Sequence, residues 1–120
     1  MTARKVQFYV VKMDEVWTLR QVCRITGVTR RAIQGYEKAD LVHPSGHNER
    51  GYLLYNAEGI QRIQKIREYQ KMGFSLNEIR VILNSSKEHF RMILSNQKII
   101  IEEEILEKKR ILKRMDEMME

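Results

Sequence analysis

Apolar residues recur along this chain in short helical runs separated by polar or glycine breaks, and the pattern changes character near residue 86. The first run is WTLRQVCRIT, where Thr18 and Gln21 have the spacing of a capping box. Leu19, Val22, Cys23 and Thr26 then form the inner face of a helix that Gly27 closes. Val28 plugs the turn, and Thr29 is placed to cap a second helix running to about Ala39, with Ala32, Ile33 and Tyr36 toward the inside. Two short helices joined by a tight glycine turn form a helix-turn-helix.

The period then shortens. Leu41 and Val42 begin an extended segment that breaks at Pro44, and residues 45–49 supply a polar turn. Gly51 permits a positive φ, and Tyr52, Leu53, Leu54 and Tyr55 return as a second strand. The pair makes a small β wing. Asn56 caps a further helix that buries Ile60, Ile63, Ile66 and Tyr69 and ends near Gly73. Ser75 and Glu78 repeat the capping-box spacing ahead of Ile79, Ile82 and Leu83. Residues 84–86, Asn-Ser-Ser, mark a break.

Beyond the break the chain contains neither Gly nor Pro, and residues 88–120 read as one helix about 48 Å long. Leu94, Ile101, Ile105, Leu112, Met115 and Met119 fall on a 4-3 seam that Lys98 and Lys108 interrupt. A lone rod of that length would leave its seam wet, so the pattern predicts dimerisation through these six residues. Ile99 and Ile100 widen the apolar face. Near the N-terminus Val6, Phe8 and Val10 alternate with Gln7 and Tyr9, which predicts a short strand inside an N-terminal extension, residues 1–15.

Charge follows the same division. The whole chain carries +6, and residues 16–80 hold 11 Lys and Arg against 6 Asp and Glu, whereas residues 81–120 hold 8 of each. A basic body beside a neutral rod suits a body that meets phosphates and a rod that meets protein. Cys23 is the single cysteine, so there is neither a disulfide framework nor a cysteine-rich metal site. His43, His47 and His89 show no ligand spacing, and Met115, Met118 and Met119 read as seam packing. No metal or other cofactor is expected. The N-terminal apolar run is too short for a signal peptide core or a membrane span, which predicts a cytoplasmic, nucleoid-associated protein with no membrane partner. No nucleophile, paired-carboxylate or phosphate-loop constellation is present, so an enzyme is not expected.

The DNA-reading candidates lie at the start of the second helix. Thr29, Arg30, Arg31 and Gln34 occupy the turns where a recognition helix presents side chains to base edges. Arginine pairs bidentately with guanine and glutamine with adenine. Thr18, at the head of the supporting helix, and Arg50 and Tyr52, on the wing, are candidates for the flanking backbone. Arg62, Lys65, Arg67 and Lys71 follow on the next helix, with Arg62 and Lys71 counted among the outer phosphate contacts.

The stretch GVTRRAIQGYEKADLVHPSGHNERGYLLY, the preceding WTLRQVCRIT and the later GFSLNEIRVIL together resemble the MerR family of transcription regulators, over about residues 16–84. Arg31, Ile33, Tyr36 and Glu37 stand where that family has an arginine, an aliphatic residue and a Tyr-Glu pair. By resemblance, Arg31 and Tyr36 touch phosphates while Ile33 anchors the helix from beneath. Two departures are visible. Gln34 and Gly35 replace a frequent arginine and aromatic, and Leu53 replaces the arginine of a Gly-Tyr-Arg-x-Tyr wing. The resemblance implies a mainly α fold: a winged helix-turn-helix with a small β wing over residues 16–84, then an antiparallel coiled-coil helix over residues 87–120. It also implies a bacterial homodimer that binds a pseudo-palindromic site in double-stranded promoter DNA without an effector domain of its own. RNA polymerase or a regulatory protein is the further partner. The alternative is an architectural or adaptor protein that tethers DNA while its coil recruits a partner.

Overall fold

The computed structural model describes residues 15–120; the strand expected over Val6 to Val10 lies outside them. Among the described residues eight elements follow one another: β1 (Val16–Thr18), α1 (Leu19–Thr26), α2 (Arg30–Lys38), β2 (Gly46–His47), β3 (Leu53–Asn56), α3 (Ala57–Lys71), α4 (Leu76–Leu83) and α5 (Lys87–Met119). The chain divides into two compact units after Arg80, within α4.

The first unit is built on caps. Gln21 N donates to Thr18 Oγ1 at 3.3 Å, and Thr18 N donates to Gln21 Oε1 at 2.8 Å, so both halves of the expected box are formed. Gly27 takes φ 73 and its amide closes α1 on the Cys23 carbonyl. Buried Thr26 stitches the turn: its hydroxyl donates to Val22 O at 2.8 Å and accepts from Val28 N at 3.1 Å. Thr29 caps α2 through Ala32 N, and Asn56 caps α3 through Gly59 N. Ser75 and Glu78 exchange the second reciprocal pair, at 2.8 and 3.1 Å.

These helices bury one apolar side each. Val22, Ile33, Tyr55, Ile60, Ile63, Ile66 and Ile79 are all inaccessible to solvent, and Val28, Leu41, Val42 and Phe74 are nearly so. Fully burying an isoleucine or valine side chain stabilises by roughly 1.5–3 kcal/mol before entropy is counted. That core fixes α1, α2 and α3 around the wing.

The wing differs from the sequence expectation in two ways. Its incoming strand begins at Gly46 rather than Leu41, because Pro44 has no amide to give a ladder and Leu41 and Val42 turn inward as core. The sheet also has a third member: β1 pairs antiparallel with β3, Trp17 opposite Tyr55, and the strand order is β1-β3-β2. In the wing turn Asn48 Oδ1 accepts the amides of Arg50 and Tyr52, each at 3.0 Å, and Gly51 sits at φ 80.

The second unit is dominated by α5, an unbroken helix capped by Ser86 on His89 N. It contains no buried residue. Leu94 and Ile101 are half-buried; Ile105, Leu112, Met115 and Met119 are exposed, Met119 to 76%.

Candidate nucleic-acid interface

The reading helix presents its sides as its sequence dictates. Ile33 and Tyr36, three apart, point into the core, while Arg30, Arg31 and Gln34 are exposed. Arg30 and Gln34 are one turn apart and form a single row. That row lines a cleft with Thr18, Leu19 and Arg20 from the head of α1 and Gly51, Tyr52 and Leu53 from the wing. Four of the expected DNA contacts, Thr18, Arg30, Gln34 and Tyr52, therefore meet in one place. Arg31 is exposed on the neighbouring side of α2, and Arg50 is exposed in the wing turn.

Electrostatics favour an anion there. The first turns of α1 and α2 carry no acidic residue, whereas α3, α4 and α5 open with Glu58, Glu78 and Glu88. The positive ends of α1 and α2 are thus left uncompensated by their own side chains. Thr18 and Thr29 already accept a backbone amide as caps, yet each keeps a hydroxyl proton to donate outward. Arg20 was not anticipated from the sequence, although it is an exposed basic residue beside a predicted cap, which is a readable signal.

Tyr36 requires correction. It is 1% exposed, and its hydroxyl donates to Gln70 Oε1 at 2.5 Å, so it ties α2 to α3 instead of offering a donor to phosphate. Burial raises its pKa above the ordinary 10, with nearby Arg67 drawing it back. Ile33 anchors α2 from beneath, as expected. Tyr55 is fully buried and its hydroxyl donates to Glu37, joining β3 to α2. Burial, then the hydrogen bond and charge of Glu37, push the Tyr55 pKa far up. Leu53 is 39% exposed, which places it on the outer wing and not in the core.

The outer basic group divides. Lys65 and Lys71 are exposed on α3. Arg67 leans toward Gln70 at 3.5 Å. Arg62 turns its Nε–H onto the Leu41 carbonyl at 2.9 Å, a contact within the protein that sequence spacing does not reveal. Elsewhere, exposed His43 pairs with Asp40 at 2.8 Å. Among the described residues no helix is long and apolar enough to cross a membrane.

A reading helix, a supporting helix and a wing around one cationic cleft define a winged helix-turn-helix protein of the DNA-binding class. Residues 17–86, more than half of the chain, match the MerR HTH family of regulatory proteins. The chain belongs to that family, whose members are transcription regulators rather than enzymes. It is 35% identical over 104 residues to the HTH-type transcriptional activator mta of Bacillus subtilis, covering 87% of this chain and 38% of the activator. It is also 35% identical over 65 residues to the regulator CueR of Yersinia pestis, covering 54% of this chain and 47% of CueR. The chain thus spans less than half of either relative. A MerR-family regulator from Bacillus cereus superposes with a TM-score of 0.79 at 30% identity, covering 87% of this chain and 80% of that one. HiNmlR, a MerR-family regulator lacking the sensor domain and bound to promoter DNA, shares the fold at TM-score 0.63 and 21% identity, over 82% of this chain and 80% of HiNmlR.

Proposed function

We propose that this chain binds a pseudo-palindromic promoter site as a homodimer and regulates transcription there. The observation that carries the reading is the meeting of Arg30 and Gln34 with Thr18, Arg20 and Tyr52 in one cleft at the uncompensated ends of α1 and α2. In this arrangement Gln34 and Arg30 face base edges in the major groove, and Arg31, Arg50 and Tyr52 hold the flanking backbone. Lys71, and Lys65 beside it, reach outer phosphates. RNA polymerase is the partner whose access to the promoter the bound dimer alters.

Dimerisation runs through α5. An antiparallel coil pairing Leu94 with Met119 sets Ile101 opposite Leu112 and Ile105 opposite Lys108, while a parallel coil would stack each lysine on its own copy. Glu102 and Glu104 lie one helical turn from the seam residues Lys98 and Lys108, a spacing that suits pairing. Support comes from the exposure of four of the six apolar seam residues along a helix with no buried residue. Cysteines placed by Leu94→Cys and Met119→Cys in a Cys23→Ser background should crosslink 94 to 119, whereas efficient 94-to-94 crosslinking would rule the register out.

Genome-wide occupancy tests the function. A few promoter-centred sites with altered transcription on deletion are expected. Broad occupancy without transcriptional change would overturn the regulator and favour an architectural role.

A further inference from the structure

The C-terminal end of the reading helix is held from outside. After Lys38 the chain reverses through Asp40 at φ 65, a left-handed conformation that disfavours most non-glycine residues. The amides of Ala39, Asp40 and Leu41 turn back onto the carbonyls of Gly35, Glu37 and Tyr36. The carbonyls of Ala39 and Leu41 then lie just past the negative end of the helix, where a cation is favoured. Each receives a guanidinium from a different helix. Arg80 of α4 donates through Nη2 to the Ala39 carbonyl, 41 residues away, and through Nη1 to Asn77 Oδ1 at 3.2 Å. Arg62 of α3 donates through Nε to the Leu41 carbonyl at 2.9 Å, 21 residues away.

We infer that Arg62 and Arg80 are positioning residues for DNA reading: a two-arginine clamp on the exit of α2 that sets the pitch of the reading helix. The inference rests on the proposed reading of DNA by α2. A nine-residue helix is a lever about 13 Å long, so slack at Ala39 is felt at Arg30 and Gln34. Base readout tolerates only about half an ångström of error. Arg62 acts here on the protein, not on a phosphate, which reassigns the residue that sequence spacing placed on the DNA backbone.

The two roles predict opposite signatures. The full chain would be compared with Arg62→Met, Arg80→Met, the double variant and Arg80→Lys. The probes are a duplex that the wild-type chain recovers from a randomised library and a scrambled duplex of equal composition. The Met variants should lose roughly tenfold in discrimination between the two, the size of one misread base pair. Their slope of log K against log salt should stay at the wild-type value, and Arg80→Lys should restore most of the loss. Without DNA, amide exchange at Ala39, Asp40 and Leu41 should quicken in both Met variants while Ile63 stays protected. A slope lower by about one unit per protomer with discrimination intact would make Arg62 a phosphate contact and overturn the clamp. Unchanged exchange at the three amides would overturn it as well. Should the wild-type chain recover no preferred duplex, the DNA reading itself fails, and the exchange measurement still decides whether the clamp exists.

Discussion

The two units of this chain solve the burial problem in opposite ways. The first turns its isoleucines inward and satisfies its helix ends with side chains from its own sequence, leaving arginine, glutamine and tyrosine on one outer cleft. In the second, α5 leaves Ile99, Ile100, Ile105, Leu106 and Leu112 in water. A helix of 33 residues with an apolar stripe and no buried residue is half of a structure. The reading head is therefore complete within the first unit, whereas the proposed spacing of two heads on DNA would depend on what covers α5.

The largest effect should come from breaking the second unit. Replacing Ile101 and Ile105 by Asp is expected to yield monomers by sedimentation, with specific DNA affinity lower by about 10²–10⁴-fold as bivalent binding is lost. The first unit should keep its helical signal and cooperative unfolding. If the double variant stays dimeric, the seam is misassigned. Ile33→Ala should do the converse, lowering unfolding free energy by about 2–5 kcal/mol at every protein concentration. Ile105→Ala is expected to destabilise only in a concentration-dependent way, and denaturant titrations at two concentrations separate the cases.

Smaller effects test the inner and outer sides of α2 against each other. Gln34→Ala should relax preference at one base position by about 1–3 kcal/mol without changing stability. Arg31→Ala should weaken all duplexes alike and lower the salt slope by about one unit per protomer. Stability should also respond to alkali. Tyr36, Tyr55 and Tyr69 all have raised pKa values in the folded protein, burial being the first cause for each. A raised native pKa means that their contribution is fully present below the unfolded value near 10 and is lost as pH rises from there through the native value. Tyr55→Phe should flatten that decline; an equally steep fall in the variant would remove Tyr55 as its source. The smallest change expected is a gain. A methyl group added at Gly35 meets nothing within 4 Å, so Gly35→Ala should stabilise α2 by about 0.5–1 kcal/mol, measured by thermal unfolding.

Much of the fold was readable because its signals are local. Thr18 with Gln21 and Ser75 with Glu78 announce two helix starts at a spacing of three, and both exchanges are formed. The exposed row of Arg30 and Gln34 follows from the buried row of Ile33 and Tyr36 by helical period alone. What escaped was long-range or too short to have a period. β1 is three residues long, so it offers no alternation to read. Tyr36 reads as amphipathic from sequence, and only the position of Gln70, 34 residues on, shows where its hydroxyl goes. Arg62 and Arg80 look like surface cations until the fold brings the Leu41 and Ala39 carbonyls beside them.

The pairing of β1 with β3 has a kinetic consequence. Trp17 opposite Tyr55 closes a loop that contains α1, α2 and the wing turn, so the sheet is complete only after both helices have been gathered between its strands. Closing that loop costs chain entropy that local contacts do not repay, so the β1–β3 pairing is expected to form late in refolding. The hairpin of β2 and β3 alone is too small to persist in water. Wing and helix pair should therefore appear together during refolding and disappear together on unfolding, as one cooperative foldon.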